Sequence, residues 1–316
     1  MVIPFERVRL FRFCLATDPY PTGLETAVQR EGLLLRLETD NDTHWAEASP
    51  LPGWSRESID DVIAAVRRRR FDAFPSLRFA CDSLMSEHAA GSLNVPIARL
   101  LSGDRGQVIA AAARLAEQPV AAVKLKIGRQ SIRKDIELVR QVQQSLRPDQ
   151  RLRLDANRAW SLADAIRFGN NCDPSTTDYI EEPTNDPSHL EAFYEVTKLP
   201  YALDETLIEQ RYTPEQFPRV SAFIVKPTLI GGRAEIESIA SSAIPIVFSA
   251  SFESMVGLSH IARLAANHSP DIPAGLDTYR WLRSNVVTAG VEFVDSHISV
   301  RWPLGIDECR LVEVPL

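Results

Sequence analysis

Cysteine is scarce: Cys14, Cys81, Cys172 and Cys309 lie far apart in 316 residues, without metal-ligand or redox spacing. That excludes a disulfide framework and predicts reduced thiols. No apolar run approaches the roughly 20 residues needed to span a bilayer. The opening stretch MVIPFERVRLFRF interrupts its apolar residues with arginines and a glutamate, unlike the core of a signal peptide. A cytoplasmic protein with no membrane partner is therefore expected. Basic charge is also short: the formal net charge is -7, and the only long basic run is Arg67 to Arg70. This argues against a nucleic-acid partner. The run follows SRESIDDVIAAV, an amphipathic helical pattern with early acids, so its arginines complement a helix dipole.

What is present is the composition of a globular protein, 45% hydrophobic and 24% charged. The length suits one large domain or one and a half. RVRLFRF and GLLLRLET alternate like strands, whereas SRESIDDVIAAVRRR and SLRFACDSLMSEHAA show helical periodicity. From about residue 92 short apolar runs alternate with helical stretches: NVPIARLL, VAAVKLKIG, RLRLDAN, DYIEEP, YALDET, SAFIVKPT, IPIVFSAS and DIPAGLDT. Between the second and third runs, Ile132, Ile136, Val139, Val142 and Leu146 recur at steps of three or four. Eight strands separated by helices predict a parallel barrel.

Polar residues mark the ends of these runs. Lys126, Asp155, Glu181, Asp204, Lys226 and Ser249 are separated by 29, 26, 23, 22 and 23 residues, each about one strand-helix unit. Barrels of this kind place their active sites at the C-terminal ends of the strands. Singly, each acid reads as a helix cap; in phase, Asp155, Glu181 and Asp204 converge and need a cation. No histidine or cysteine stands at a matching strand end, so the donors are hard oxygens that suit Mg²⁺. Strand alternation puts Lys124 and Lys126 on one side, where two ammonium groups repel unless an anion faces them. The second charge is expected to lower the pKa of Lys126 and fit it to act as a base. Bases beside a metal held by carboxylates predict removal of a proton next to a carboxylate, with the developing charge stabilised by the metal and a nearby ammonium group. Parity leaves Glu181 and Glu182 both open as the third acid.

WAEASPLPGWSRES, VKLKIG, LDANRAW, IEEP, LDET, VKPTLIGG, SASFESMVGL and GLDT occur in an order that resembles the enolase superfamily, and within it the o-succinylbenzoate synthases. The resemblance implies a (β/α)7β TIM-like barrel over residues 91–279. It adds an α+β capping domain from residues 1–90, to which 280–316 return. It selects Glu181, and makes Asp155, Glu181 and Asp204 the Mg²⁺ ligands, with Mn²⁺ as a substitute and no organic cofactor. Lys126 would take the α-proton of 2-succinyl-6-hydroxy-2,4-cyclohexadiene-1-carboxylate and protonate the departing hydroxide. Lys226 would stabilise the enediolate, giving o-succinylbenzoate on the way to menaquinone or phylloquinone. Arg153 would meet the substrate's carboxylate region or support the site from behind, and Asn157 would have similar status. Ser249 and Ser251 would contact the succinyl carboxylate, although Ala250 replaces the serine usual between them. Glu182 and Glu205 would hold lysines or ligands. TDPYPTGLETAVQREG resembles a mobile lid loop and SPLPGWSRES a second contact loop. The partner is a small-molecule carboxylate, and the chain is expected to be a monomer, with a homo-oligomer as the alternative.

Related activities share these residues, namely N-succinylamino acid racemase, dipeptide epimerase and cycloisomerase. A non-catalytic binding barrel predicts a broken constellation. A Schiff-base aldolase needs one buried lysine and gives the acids no role. His44, His88, His189, His260, His268 and His297 read as surface or packing residues.

Overall fold

The computed structural model describes residues 7–21, 26–40, 42–86, 91–209, 212–213 and 215–316. Strands β1 (Val8–Pro21), β2 (Thr26–Glu38) and β3 (Thr43–Ala48) form an antiparallel meander. Strand alternation divides its side chains between two faces. Leu33, Leu35 and Leu37 pack with helices α1 (Ile59–Arg67) and α2 (Pro75–Met85), while Leu34 joins Phe11, Phe13 and Trp45 on the other side. A capping box starts α1, with the Asp61 carboxylate accepting from Ser58 N at 2.9 Å. Arg67 ends it and donates to the Pro315 carbonyl at 2.9 Å, so the basic run does close a helix. The segment read as a lid loop instead continues the hairpin on both sides, with Tyr20 opposite Ala27. Its residues 22–25 lie outside the described residues.

β4 (Ser92–Pro96) and β5 (Arg99–Leu101) divide the run NVPIARLL in two. Strand and helix then alternate through α3 (Arg105–Ala116), β6 (Ala122–Lys126), α4 (Ile132–Ser145), β7 (Arg151–Asp155), α5 (Leu162–Gly169) and β8 (Thr177–Glu181). The pattern continues in α6 (Leu190–Thr197), β9 (Tyr201–Leu203), the short α7 (Glu205–Ile208), β10 (Val220–Val225), α8 (Pro227–Ile230) and α9 (Arg233–Ala240). It closes with β11 (Ile246–Phe248) and α10 (Met255–His268). β5 to β11 form a seven-stranded parallel sheet in sequence order. Helices cover its outer face, which explains why a strand such as β10 is largely apolar on both sides.

The predicted eighth strand, DIPAGLDT, is reduced to two parallel bridges, Ala274 to Ile97 and Gly275 to Ser249, followed by a 3-10 turn. Pro273 has no N–H for a ladder. Gly275 passes so close to β11 that a Cβ there would meet Ser249 Oγ at 2.7 Å. These bridges carry the sheet round from β11 toward β5.

β12 (Val287–Val294), β13 (His297–Ile306) and β14 (Val312–Val314) finish the chain. β13 pairs with β4, and β14 returns to pair with β1. Glu47, buried near the end of β3, accepts from Ser254 N at 3.0 Å and Gly257 N at 2.9 Å. The first sheet thus caps the N-terminus of α10 and is tied to the barrel. Among the described residues no helix is long and apolar enough to cross a membrane.

Candidate active site

Parallel pairing in register carries one chemical layer from strand to strand. Lys126 stands opposite Asp155 and Asp155 opposite Glu181; one layer lower, Lys124 stands opposite Arg153. Asp204 and Lys226 follow the ends of β9 and β10 directly. These ends open into a cavity of about 390 Å³, within the range of small-molecule sites. Lys124, Lys126, Asp155, Asn157, Lys226, Ser249 and Ser251 all line it.

The lysine pair is relieved by carboxylates of the chain itself. Lys124 Nζ lies 3.0 Å from Asp155 Oδ2 and 2.6 Å from Glu181 Oε2, while Lys126 Nζ lies 3.3 Å from the same Asp155 oxygen. Lys226 Nζ donates to Asp204 Oδ2. Burial lowers the pKa of Lys124, but Asp155, Glu181 and Asp204 outweigh it and hold the pKa well above its ordinary value. The repulsion that the sequence predicts between the two ammonium groups is therefore offset by the acids around them. Burial likewise lowers Lys226, and the Asp204 charge and hydrogen bond, together with the Glu205 charge, more than reverse this. Burial opposes ionisation of Asp155 as well, yet Lys124, Lys126 and Lys226 together keep its pKa far below the usual range. Glu181 is pushed up to about 7 by burial and by the Asp155 and Asp204 charges, against the pull of Lys124.

No group of three or more His, Cys, Asp or Glu side chains stands ready around a metal centre among the described residues. Each of the three acids instead turns an oxygen toward an ammonium group. The donor chemistry nevertheless fits a hard cation: Asp204 is fully buried, and its Oδ1 has no hydrogen-bond partner among the described residues.

Backbone direction separates Glu181 from Glu182. Glu182 has φ +41° and no exposed surface. Its carboxylate turns to the next strand, accepting from Asp204 N at 3.1 Å, Thr206 N at 2.8 Å and Arg158 Nε at 3.1 Å. It thereby fixes the backbone that carries Asp204. Asn157, also left-handed at φ +43°, accepts from Lys126 Nζ at 2.9 Å and donates to Glu205 Oε1 at 3.2 Å. Glu205 is pushed up to about 8 by burial and the Asp204 charge, against Lys226.

Arg153 is buried below the cavity layer. It donates to Asp178 at 3.1 Å and to the Pro273 carbonyl at 2.6 Å, contacts that match support from behind rather than a substrate contact. Ser249 Oγ lies 3.3 Å from the Gly275 carbonyl, whereas Ser251 Oγ is buried without a partner among the described residues. His260 is a packing residue, with Nε2 2.8 Å from the Trp45 carbonyl. Sequence reasoning missed Arg129, Leu229, Phe252 and Asp277 in the cavity wall, and Trp54, whose ring lies 5.7 Å from Lys226 Nζ. Trp54, Phe252 and Asp277 fall within quoted motifs, whereas Arg129 carries no signal beyond following VKLKIG.

The family model described as enolase C-terminal domain-like matches residues 107–306, and that of the MenC N-terminal domain matches 5–77. The chain is 32% identical over 279 residues to the o-succinylbenzoate synthase of Enterobacter sp. (strain 638), covering 82% of this chain and 86% of that protein. It is 32% identical over 309 residues to that of Edwardsiella ictaluri, covering 90% and 94%. Among solved structures, the L-Ala-D/L-Glu epimerase from Bacillus subtilis superposes with a TM-score of 0.80 at 19% identity, covering 95% of this chain and 96% of that one. The o-succinylbenzoate synthase from Thermosynechococcus elongatus BP-1, complexed with Mg in its active site, gives 0.77 at 21%, covering 90% and 96%. These likenesses show the barrel fold with its antiparallel N-terminal sheet. By its sequence relatives and family models, the chain belongs to the o-succinylbenzoate synthase family of the enolase superfamily.

Proposed function

We propose that this chain dehydrates 2-succinyl-6-hydroxy-2,4-cyclohexadiene-1-carboxylate to o-succinylbenzoate, a step toward menaquinone or phylloquinone. The observation that carries the reading is the placement of two amines around one set of acids. Lys126 on β6 and Lys226 beyond β10 stand four strands apart in the sheet, with Asp155, Glu181 and Asp204 between them. Those three acids would hold Mg²⁺, or Mn²⁺ as a comparable hard cation, and no organic cofactor is required. Bound there, the ion supplies positive charge that makes the α-proton of a carboxylate removable.

Lys126 takes that proton, with Asn157 orienting its Nζ. The same Nζ then returns the proton to the hydroxyl group leaving from the same face, so water departs and the ring becomes aromatic. Lys226 stays cationic beside Asp204 and donates toward the negative charge that develops on the other face. Lys124 also stays cationic, spanning Asp155 and Glu181 and keeping them in place. The Ser249 and Ser251 hydroxyls receive the succinyl carboxylate, and Ala250 between them contributes none. Leu51 and Trp54, from the loop after β3, close the cavity against water, which strengthens every charge interaction inside it.

The test is to supply purified protein with the cyclohexadiene acid and Mg²⁺ and to follow the aromatic product by ultraviolet absorbance. Product that disappears with EDTA and returns with Mg²⁺ supports the reading. Inactivity there, with racemisation of N-succinyl amino acids, would replace it, because the same two lysines can exchange a proton across one carbon.

A further inference from the structure

We propose that Arg30 is a positioning residue for the substrate: it clamps two cavity-lining loops so that the Ser251 hydroxyl and the Phe252 ring face the ligand. The inference rests on reading the cavity as the substrate site. Arg30 lies on β2 of the first sheet, outside the barrel, and is only 1% exposed. Its guanidinium reaches backbone carbonyls in both loops. Nε donates to Phe252 O at 2.9 Å, Nη1 to Pro50 O at 2.8 Å and to Glu31 O at 3.0 Å. Nη2 donates to Ser49 O and, at 3.4 Å, to Ser251 O. All five acceptors are neutral carbonyls, and Arg30 makes no salt bridge among the described residues. Burying a cation in this way is expensive, and here it joins two backbone segments that no strand pairing connects.

The loop it holds is strained. Phe252 has φ +61°, a region that an aromatic residue occupies only when its surroundings impose it. Arg30 grips the carbonyl of this residue. The preceding residue is fixed at both backbone groups, because Ser251 N also donates to Glu253 Oε2 at 2.6 Å. Glu253 in turn accepts from Thr228 Oγ1. With its backbone held, Ser251 keeps in the cavity wall a buried hydroxyl that has no partner among the described residues. On the other loop, Ser49 and Pro50 immediately precede Leu51, which also lines the cavity.

Hydrogen exchange on Arg30→Lys without ligand tests the clamp. Amides in residues 249–254 and 49–55 are expected to exchange about tenfold faster, with β1, α1 and α4 within about twofold of the parent. Uniform acceleration, or none, would overturn the proposal. In turnover of the cyclohexadiene acid, KM should rise about tenfold with kcat within about threefold. Ser251→Ala should then add little in the Arg30→Lys background; full additivity would argue against action through Ser251. A parent protein that fails to turn this acid over refutes the assigned function, while the exchange result still decides the role of Arg30. Should Arg30→Lys not fold, Arg30→Gln is read by the same exchange. Release confined to 249–254 and 49–55 supports the clamp, and any other pattern overturns it.

Discussion

Glu182→Ala is the substitution whose consequences the structure defines most fully. The Glu182 carboxylate is wholly buried and accepts from two backbone amides, the Thr206 hydroxyl and Arg158. Truncation leaves the Asp204 and Thr206 N–H groups buried without acceptors, at about 1–3 kcal/mol each. Arg158 keeps Glu209 at 2.6 Å, which limits the additional charge penalty. Together with the lost ion pair, a destabilisation of about 3–5 kcal/mol follows. For a chain of this size that lowers Tm by on the order of 5–10 °C. Because the Asp204 amide is released, Mg²⁺ affinity should also fall by about 10- to 100-fold, as it does when the supports of metal ligands are removed. Glu182→Gln keeps the volume but turns an NH₂ group toward donors, so its effects should be intermediate. Urea unfolding and calorimetric Mg²⁺ titration measure the two effects. A loss below about 1 kcal/mol with unchanged Mg²⁺ affinity would show that Glu182 is not the support described.

Lys126→Ala should abolish turnover while o-succinylbenzoate still binds in a fluorescence titration; near-normal rates would remove Lys126 from its role. Glu253 gives a pH signature, since burial raises its carboxyl pKa against the Thr228 hydrogen bond. A raised folded-state pKa means that the folded protein binds this proton more tightly than the unfolded chain. Its contribution is therefore fully present below the ordinary carboxyl pKa and is lost as pH rises through the raised value. Glu253→Gln should accordingly compare more favourably with the parent at pH 8 than at pH 4 in urea unfolding, and an equal difference at both would contradict the shift.

The barrel was legible because its strands are short, apolar and regularly spaced, and because the polar residue ending each strand falls in phase. That phase located Lys126, Asp155, Lys226 and Ser249 in the wall of one cavity, with Glu181 and Asp204 held against its lysines, without reference to contacts. Three features depended on information that spacing does not carry. The eighth strand is reduced to two parallel bridges because Pro273 and Gly275 weaken a ladder even within an apolar run. Parity placed Glu181 and Glu182 on equal terms, and only the left-handed turn at Glu182 sends its carboxylate to the neighbouring strand. Arg153 shares a strand face with Asp155, so alternation suggested a reach into the cavity. Its depth in the barrel and its contacts with Asp178 and Pro273 belong to tertiary packing. The resemblance returned residues 280–316 to the cap, but their antiparallel strands carry no spacing signal, since the partners of β14 and β13, β1 and β4, lie some two hundred residues or more away.

Calorimetric titration of Mg²⁺ into the parent protein and into Asp155→Asn, Glu181→Gln and Asp204→Asn is the most direct test of the central claim. One ion per chain in the parent, with binding lost or severely weakened in each variant, is the predicted result. Unaltered binding in the three variants would contradict a shared centre and, with it, the chemistry assigned to the lysines on either side.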